Sequence, residues 1–404
     1  MKILLNCYAC SPYKGSEPGM GWNFVRCLSK KHELHIITES KFQPDLEKYF
    51  SEHPEERNAY HFYFIRKERH KKLRKIWPPS YYWYYRKWQR KALQLAMELD
   101  EKENFDLIHQ LNMIGYREPG YLWKIDKPVV WGPIGGFNIT PWRFLPSMGL
   151  KGMVFYGFRN LINMWQMRYS HRIREASRQC SYIISATQDS YDVVTKLWKR
   201  ESIIIPEVGL MNADENLSVA TREGKLRICW SGQHTPGKSL NLLLKALTKC
   251  ESKNSIELHV LGQGEQTEKW KALAEKLQLS DITWHGWVER AESVKVMKNC
   301  HLFVITSMAD ATSSVLLEAM SIGLPVIAPD LFGFSNVITS ECGIKIATES
   351  KDAFIEGLAD VIESIVKDEP WRTWLAEGAQ ARARQFTWDD KAKKISDIYK
   401  KTKK

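Results

Sequence analysis

The chain has no apolar run near the roughly 20 residues that cross a bilayer. Its opening apolar stretch, Ile3-Leu4-Leu5, is also far too short for the core of a secretory signal. An intracellular, cytoplasmic protein not integral to a membrane is the expectation. The eight cysteines, at 7, 10, 27, 180, 229, 250, 300 and 342, lack the spacing of a disulfide framework, so reduced, buried thiols are the simpler reading. Cys7 and Cys10 form a C-x-x-C, yet no second pair follows at zinc-like spacing and the motif leaves a strand rather than opening a helix. Neither a bound metal nor an organic cofactor is expected. No Ser-His-Asp or Cys-His grouping suggests a nucleophilic enzyme. Low-complexity character is missing too: the hydrophobic fraction of 44% and charged fraction of 26% are those of a globular protein.

Positive charge, by contrast, is in excess. A formal charge of +12 points to a polyanionic partner, whether nucleic acid, a phosphorylated substrate or an anionic membrane face. The length, 404 residues, makes two domains the default. In the first half, short apolar strands at 2–6, 33–38, 61–65, 107–109, 129–132 and 182–185 alternate with helical periodicity. The second half repeats the order with strands at 226–231, 256–261, 282–284, 302–306, 326–328 and 343–346. Two doubly wound parallel α/β domains in series are predicted. The aperiodic stretch 206–224 reads as the linker, dividing a domain at 1–205 from one at 225–385. A last helix follows at 386–404. Ligands of open α/β sheets sit beyond the carboxyl ends of the strands, which for two facing domains means the cleft between them.

The most informative stretch is Asp310-Ala-Thr-Ser-Ser-Val-Leu-Leu-Glu318-Ala-Met. A strand ends before it, a polar loop follows, and Thr312, Ser313 and Ser314 precede a helix starting near Val315. The free N–H groups at such a start suit a diphosphate. Glu318 sits in an otherwise apolar helix, where a carboxylate is costly unless it has partners. Asp310 and Glu318 are eight residues apart, so one can reach a sugar hydroxyl and the other ribose hydroxyls.

This segment resembles the E-x7-E signature of retaining glycosyltransferases of the family 4 type (glycosyl transferases group 1). Further stretches are similar in the same order. Trp230-Ser-Gly232-Gln233-His-Thr-Pro236-Gly-Lys238 resembles the strand, glycine and Arg…Lys pair that grips donor phosphates. Gly262-Gln-Gly264 resembles the second glycine turn, and His285-Gly286-Trp287-Val288 the nucleotide-contacting loop. Arg384-Gln-Phe386-Thr387-Trp388 looks like the opening of the last helix. The resemblance implies a GT-B fold: two Rossmann-like domains facing across a cleft, with the C-terminal helix crossing back to the first. It also implies a nucleotide-sugar donor and no metal. Donor-binding candidates are then Gly15, Ser16, Gly232, Gln233, Lys238, Gly262, Gly264, His285, Gly286, Asp310, Thr312, Ser313, Ser314, Val315 and Glu318. Two positions depart from the family pattern: Asp310 stands for a glutamate and Gln233 for an arginine. A lone Lys238 keeps the point charge but loses the bidentate grip.

In the first half, the loop Gly15-Ser16-Glu17-Pro18-Gly19-Met20-Gly21 closes onto a helix predicted to begin near Met20. It resembles the family's first-strand loop beside the donor phosphate and acceptor hydroxyl, and makes Glu17 a catalytic candidate and Gly19 an acceptor contact. Asp106-Leu-Ile-His109-Gln-Leu111-Asn112 resembles the D-x-x-H-x-H segment, with Leu111 in place of the second histidine. His109 is thus either a catalytic candidate, with Asp310 and Glu17, or a core histidine satisfied by backbone. Asn112 and the paired Gly135 and Gly136 are candidate acceptor contacts. In the retaining mechanism that the resemblance implies, the leaving diphosphate itself takes the acceptor proton.

Between Arg66 and Lys91 eleven Lys or Arg residues face one acid, interleaved with seven Trp or Tyr. Peripheral contact with an anionic inner leaflet is one reading, joined by the amphipathic stretch 153–165. Single-stranded nucleic acid is a rival, disfavoured because no nucleic-acid motif accompanies it; a partly buried aromatic cluster with a solvated basic face is the third. The expectation for the whole chain is transfer from a UDP- or GDP-sugar to a lipid-linked or polysaccharide acceptor in cell-surface glycan synthesis. A nucleotide-sugar epimerase, a phosphorylase and a non-catalytic nucleotide-binding or nucleic-acid-binding protein are the alternatives.

Overall fold

The structure is a computed structural model that describes residues 1–68, 71–77, 80–211, 219 and 221–402. Part of the predicted linker (212–218 and 220), Arg69 of the basic stretch and the final two lysines lie outside the described residues. The chain divides into two compact units. Unit 1 comprises Met1–Phe137, Met164–Met211 and the chain from Trp388 onward; unit 2 comprises Asn138–Asn163 and Asn212–Thr387.

Among the described residues, unit 1 holds the strands β1 Lys2–Cys7, β2 Glu33–Glu39, β3 Tyr60–Ile65, β4 Leu107–Asn112, β5 Val129–Ile134, β6 Tyr182–Ser185 and β7 Ser202–Ile204. They pair in parallel in the order β3-β2-β1-β4-β5-β6-β7. Unit 2 holds β8 Leu226–Ser231, β9 Ile256–Leu261, β10 Ile282–Gly286, β11 Leu302–Val304, β12 Val326–Pro329 and β13 Gly343–Ile346, ordered β10-β9-β8-β11-β12-β13. Sheets covered by helices on both faces select continuous apolar strands, and β1 is buried from Ile3 to Cys7. Each sheet reverses its strand order once, between β1 and β4 and between β8 and β11. The carboxyl ends of those four strands are where a doubly wound sheet offers a crevice.

Several bounds differ from the sequence reading. β4 and β5 run on to Asn112 and Ile134, and β7, at three residues, is too short to show a period. β11 stops at Val304, short of the Thr306 expected; beyond it the Thr306 hydroxyl donates to the Lys238 carbonyl at 2.8 Å and accepts from the Trp230 indole at 3.0 Å. The first helix begins at Ser16, four residues before Met20. The linear domain division also differs, since residues 138–163 group with unit 2. The reason is packing: Phe144, Leu145 and Met148 belong to the core formed by Leu240, Leu243, Phe354 and Leu358.

The last helix, Trp388–Thr402, closes unit 1. Trp388 meets Phe24 edge-on at 5.0 Å, and Ile395, Ile398 and Tyr399 are buried in the unit 1 core. Lys391 is buried with them, its ammonium donating to the carbonyls of Pro206, at 2.7 Å, and Val208. All eight cysteines are buried and free, as the scattered spacing led us to expect.

Candidate active site

In unit 2 the turn Pro236–Lys238 follows β8, and Ser239, in the left-handed region at φ 51°, reverses the chain into helix Leu240–Leu247. That reversal holds the Lys238 ammonium in an ion pair with the Asp310 carboxylate. The second Asp310 oxygen accepts the Ala311 N–H at 3.0 Å, and the Asp310 carbonyl accepts from the Asn138 amide. Four residues further on, helix Ser314–Ser321 starts from Ser313, which is extended (φ −90°, ψ 128°) and makes no side-chain cap hydrogen bond. A helix start without a side-chain cap leaves first-turn N–H groups to an anion. Ser314 is exposed, Ser313 and Val315 half-buried and Thr312 buried. One turn into the helix, Glu318 accepts from the Arg290 guanidinium at 2.9 Å; Glu318 is 17% exposed and Arg290 78%. Asp310 and Glu318 therefore each have a cation of their own.

Three glycines interlock beside this helix start's sheet. Gly232 donates to the Leu261 carbonyl at 3.1 Å and Gly262 to the Gly286 carbonyl at 2.7 Å. Gly262 has φ +107°, and a Cβ there would strike the Gly232 carbonyl, so glycine is required by the packing of the turns themselves. Gly264 donates to the Thr267 hydroxyl at 2.9 Å. Gln233 is exposed, and His285 pairs ring to ring with His259, Nε2 to Nδ1 at 3.1 Å. A depression of about 480 Å³ opens here, lined by His234, Gly262, Gly264, Thr267, Lys271 and Trp284 among others. Burial holds the His234 imidazole down at about 4, so it is neutral at physiological pH, with Nδ1 on the Thr267 hydroxyl at 2.8 Å.

In unit 1 the candidates separate. Gly15 is the exposed N-cap of helix Ser16–Ser29, with open space around it, and Ser16 takes φ 56°. Glu17 accepts the Ile114 N–H at 2.6 Å, and burial raises its carboxyl pKa. The Ile114 carbonyl in turn accepts from Gly135 N–H at 2.9 Å, so Glu17 and Gly135 come together around one residue. Gly136 follows at φ +83°. The expected ligand role of the glycine loop is narrowed: a Cβ at Gly19 would strike the Lys14 carbonyl and one at Gly21 the Ala9 carbonyl, so both are needed for the loop's own closure.

Two candidates are corrected outright. His109 is wholly buried, Nε2–H donating to the Gly132 carbonyl at 2.6 Å and Nδ1 accepting from the Tyr399 hydroxyl at 2.5 Å. Burial pushes its pKa down to about 4. With both nitrogens used inside the protein it has nothing to offer a substrate, and the core reading replaces the catalytic one. Asn112 is equally buried; its amide brackets Ala9, donating to the Ala9 carbonyl at 2.8 Å and accepting the Ala9 N–H at 3.2 Å. It is a tie between β4 and the loop after β1, not an acceptor contact.

With this geometry in view, residues 214–381 match the family Glycosyl transferases group 1. Lys238, Asp310, Glu318 and the three interlocked glycines all lie within the matched residues. The chain is similar to the phosphatidyl-myo-inositol mannosyltransferase of Mycolicibacterium smegmatis, 24% identical over 221 residues, covering 51% of this chain and 55% of the other. It is also similar to the D-inositol 3-phosphate glycosyltransferase of Xylanimonas cellulosilytica, 28% identical over 178 residues, 43% of this chain and 41% of the other. The chain spans about half the length of the curated relatives it matches. Solved structures match over nearly everything. Anabaena HepE in complex with UDP has a TM-score of 0.62 at 16% identity, over 99% of this chain and 100% of that one. The glycosyltransferase WaaG, involved in lipopolysaccharide biosynthesis, has 0.58 at 17%, over 98% and 99%. These likenesses and the two parallel sheets define a GT-B fold.

Sequence reading missed Arg290 and His234 near the donor candidates, and Asn138 far from them in the chain. Arg290 stands four residues after Gly286 and carried a signal, since an apolar helix with one glutamate implies a cationic partner. Asn138 reaches Asp310 across 172 residues and carried none.

Proposed function

We propose that the protein is a retaining, metal-independent glycosyltransferase that uses a UDP- or GDP-sugar and a lipid-linked or polysaccharide acceptor of cell-surface glycan synthesis. One observation carries this: Lys238 paired with Asp310, four residues before a helix start without a side-chain cap, with Glu318 a turn inside that helix. Our reading has the diphosphate take the first-turn N–H groups and draw Lys238 from Asp310. Asp310, freed, accepts from a sugar hydroxyl. Glu318 accepts from the ribose hydroxyls while exposed Arg290 swings aside. The anomeric carbon–phosphate oxygen bond breaks, the anomeric carbon–acceptor oxygen bond forms on the same face, and the acceptor proton passes to the departing diphosphate. Lys238 and the helix start offset the charge developing on that leaving group, which is the task a metal ion would otherwise perform. The UDP bound to Anabaena HepE and the lipid in the mycobacterial relative's name favour these classes of donor and acceptor.

Helix Gly149–Tyr169 supports a peripheral membrane contact. Leu150, Val154, Phe158, Leu161 and Trp165 recur along one stripe and are each more than half exposed. In the basic stretch, Ile76, Trp77, Tyr82 and Trp83 are exposed as well. Among the described residues no helix is long and apolar enough to cross a membrane. Aromatic and basic side chains favour the headgroup layer.

The test is a panel of UDP-, GDP- and ADP-sugars offered without acceptor, followed by nucleotide release. Release with at least one donor, lost in Lys238→Ala, is expected. No binding of any nucleoside diphosphate by the purified protein would overturn the reading.

A further inference from the structure

At the amino ends of β2 and β3, away from the strand carboxyl ends that carry the glycine loops, three side chains of metal-ligating type converge. Glu33 and His35 are two apart on β2 and so share a face of the sheet. His61 on β3 is the register partner of His35, and the two rings stack with centroids 4.5 Å apart. One donor atom from each of Glu33, His35 and His61 lies within 4.8 Å of the other two.

We propose that Glu33, His35 and His61 bind one divalent transition cation of the zinc type. Two imidazoles and a carboxylate are a donor set zinc accepts, with a fourth position left for water. Donor atoms of a tetrahedral zinc stand roughly 3.4 Å apart, given bonds of about 2.0–2.1 Å. His35 Nε2 and Glu33 Oε1 are already 3.2 Å apart. Glu33 and His61 are exposed and free to rotate the remaining distance, while His35 is buried and fixed. His35 Nδ1 lies 2.9 Å from the Tyr63 hydroxyl, the outer partner that a metal-bound imidazole uses to set its tautomer and orientation. The competing cation is Lys2, 3.5 Å from Glu33 Oε1 but closer, at 2.8 Å, to Glu103. Glu103 can therefore keep Lys2 when a metal takes Glu33. The site is independent of the transferase reading, because no residue of it belongs to the donor or acceptor candidates.

The experiment uses the full chain, stripped with chelator and titrated calorimetrically with zinc chloride, and with Co²⁺ for its spectrum. Wild type is expected to bind one equivalent. His61→Ala and Glu33→Gln, both at exposed positions, should each weaken that binding by about tenfold or more, and Lys2→Met should strengthen it. The Co²⁺ spectrum should show imidazole and oxygen donors without a thiolate band. Nucleoside diphosphate binding should be the same with and without zinc. Binding unchanged in His61→Ala, a thiolate band from the buried cysteines, or no uptake by wild type would each overturn the proposal.

Discussion

Asp310→Asn should strengthen the binding of free UDP or GDP while slowing sugar transfer. The Lys238–Asp310 pair is neither exposed nor buried, at 21% and 22% side-chain exposure, so its worth is near the top of the surface range, about 1 kcal/mol. A diphosphate that recruits Lys238 must give up or share that pair. Replacing the carboxylate with an amide removes the competition, and 1 kcal/mol is about fivefold in Kd. The loop itself should stay in place, because the Asp310 carbonyl is held by Asn138 independently of the side chain. Lys238→Ala acts in the opposite sense. It removes a charge-assisted hydrogen bond to phosphate worth about 1.5–3 kcal/mol, or about 10- to 150-fold in Kd. Isothermal titration with UDP and GDP reads both variants, with thermal unfolding run beside it to show that both fold. Transfer by Asp310→Asn should fall about tenfold or more, since an ionised acceptor to the sugar becomes a neutral one. If Asp310→Asn weakens nucleotide binding as Lys238→Ala does, Asp310 holds the diphosphate site open rather than competing for its lysine, and the division of roles is wrong.

Tyr399→Phe takes the hydroxyl from His109 Nδ1 and should cost about 1–3 kcal/mol in urea unfolding with kcat unchanged; a large kcat loss would restore a chemical role to His109. Gly262→Ala should lower the stability of unit 2 by about 2 kcal/mol or more, because φ +107° and the Gly232 carbonyl both oppose a side chain; a wild-type urea midpoint would refute this. Burial pushes the Lys391 ammonium down to about 7, below the roughly 10.4 of an unfolded chain. The unfolded state then binds the extra proton between those values, so stability is full above the upper one and falls as pH drops toward 7. Lys391→Met should flatten that slope in urea midpoints measured across the window. Phe158→Asp should reduce flotation with anionic liposomes, and wild type that fails to float would remove the membrane contact.

Much of the architecture is legible because strands buried on both faces are close to continuously apolar, as β6 is at Tyr182–Ser185, where the reading put it; β8, β9 and β13 also fall at Leu226–Ser231, Ile256–Leu261 and Gly343–Ile346 as read, although Arg227, Glu257, His259 and Lys345 interrupt their apolar runs. The phosphate end of the site is legible for a local reason, since loop, helix start and both carboxylates occupy one short stretch. Failures occur where the deciding partner is distant. The D-x-x-H pattern looks the same whether His109 faces a sugar or the core, and Tyr399, which decides the matter, lies 290 residues away. Asn112 has the same ambiguity, resolved by Ala9. Glycines mislead differently: Gly19 and Gly21 suggest a ligand's close approach, but the approaching atoms are the chain's own carbonyls.

The grouping of residues 138–163 with one unit and of Trp388 onward with the other bears on how the protein is made. A nascent chain emitted as far as Met211 has all seven strands of the first sheet, yet lacks Trp388, Ile395 and Tyr399 to cover one side of them. The amino-terminal half must therefore wait, incompletely closed, until translation is nearly finished. Severing the chain near residue 211 should yield two aggregation-prone fragments rather than two domains, and co-expression of both pieces is the route by which they would regain solubility.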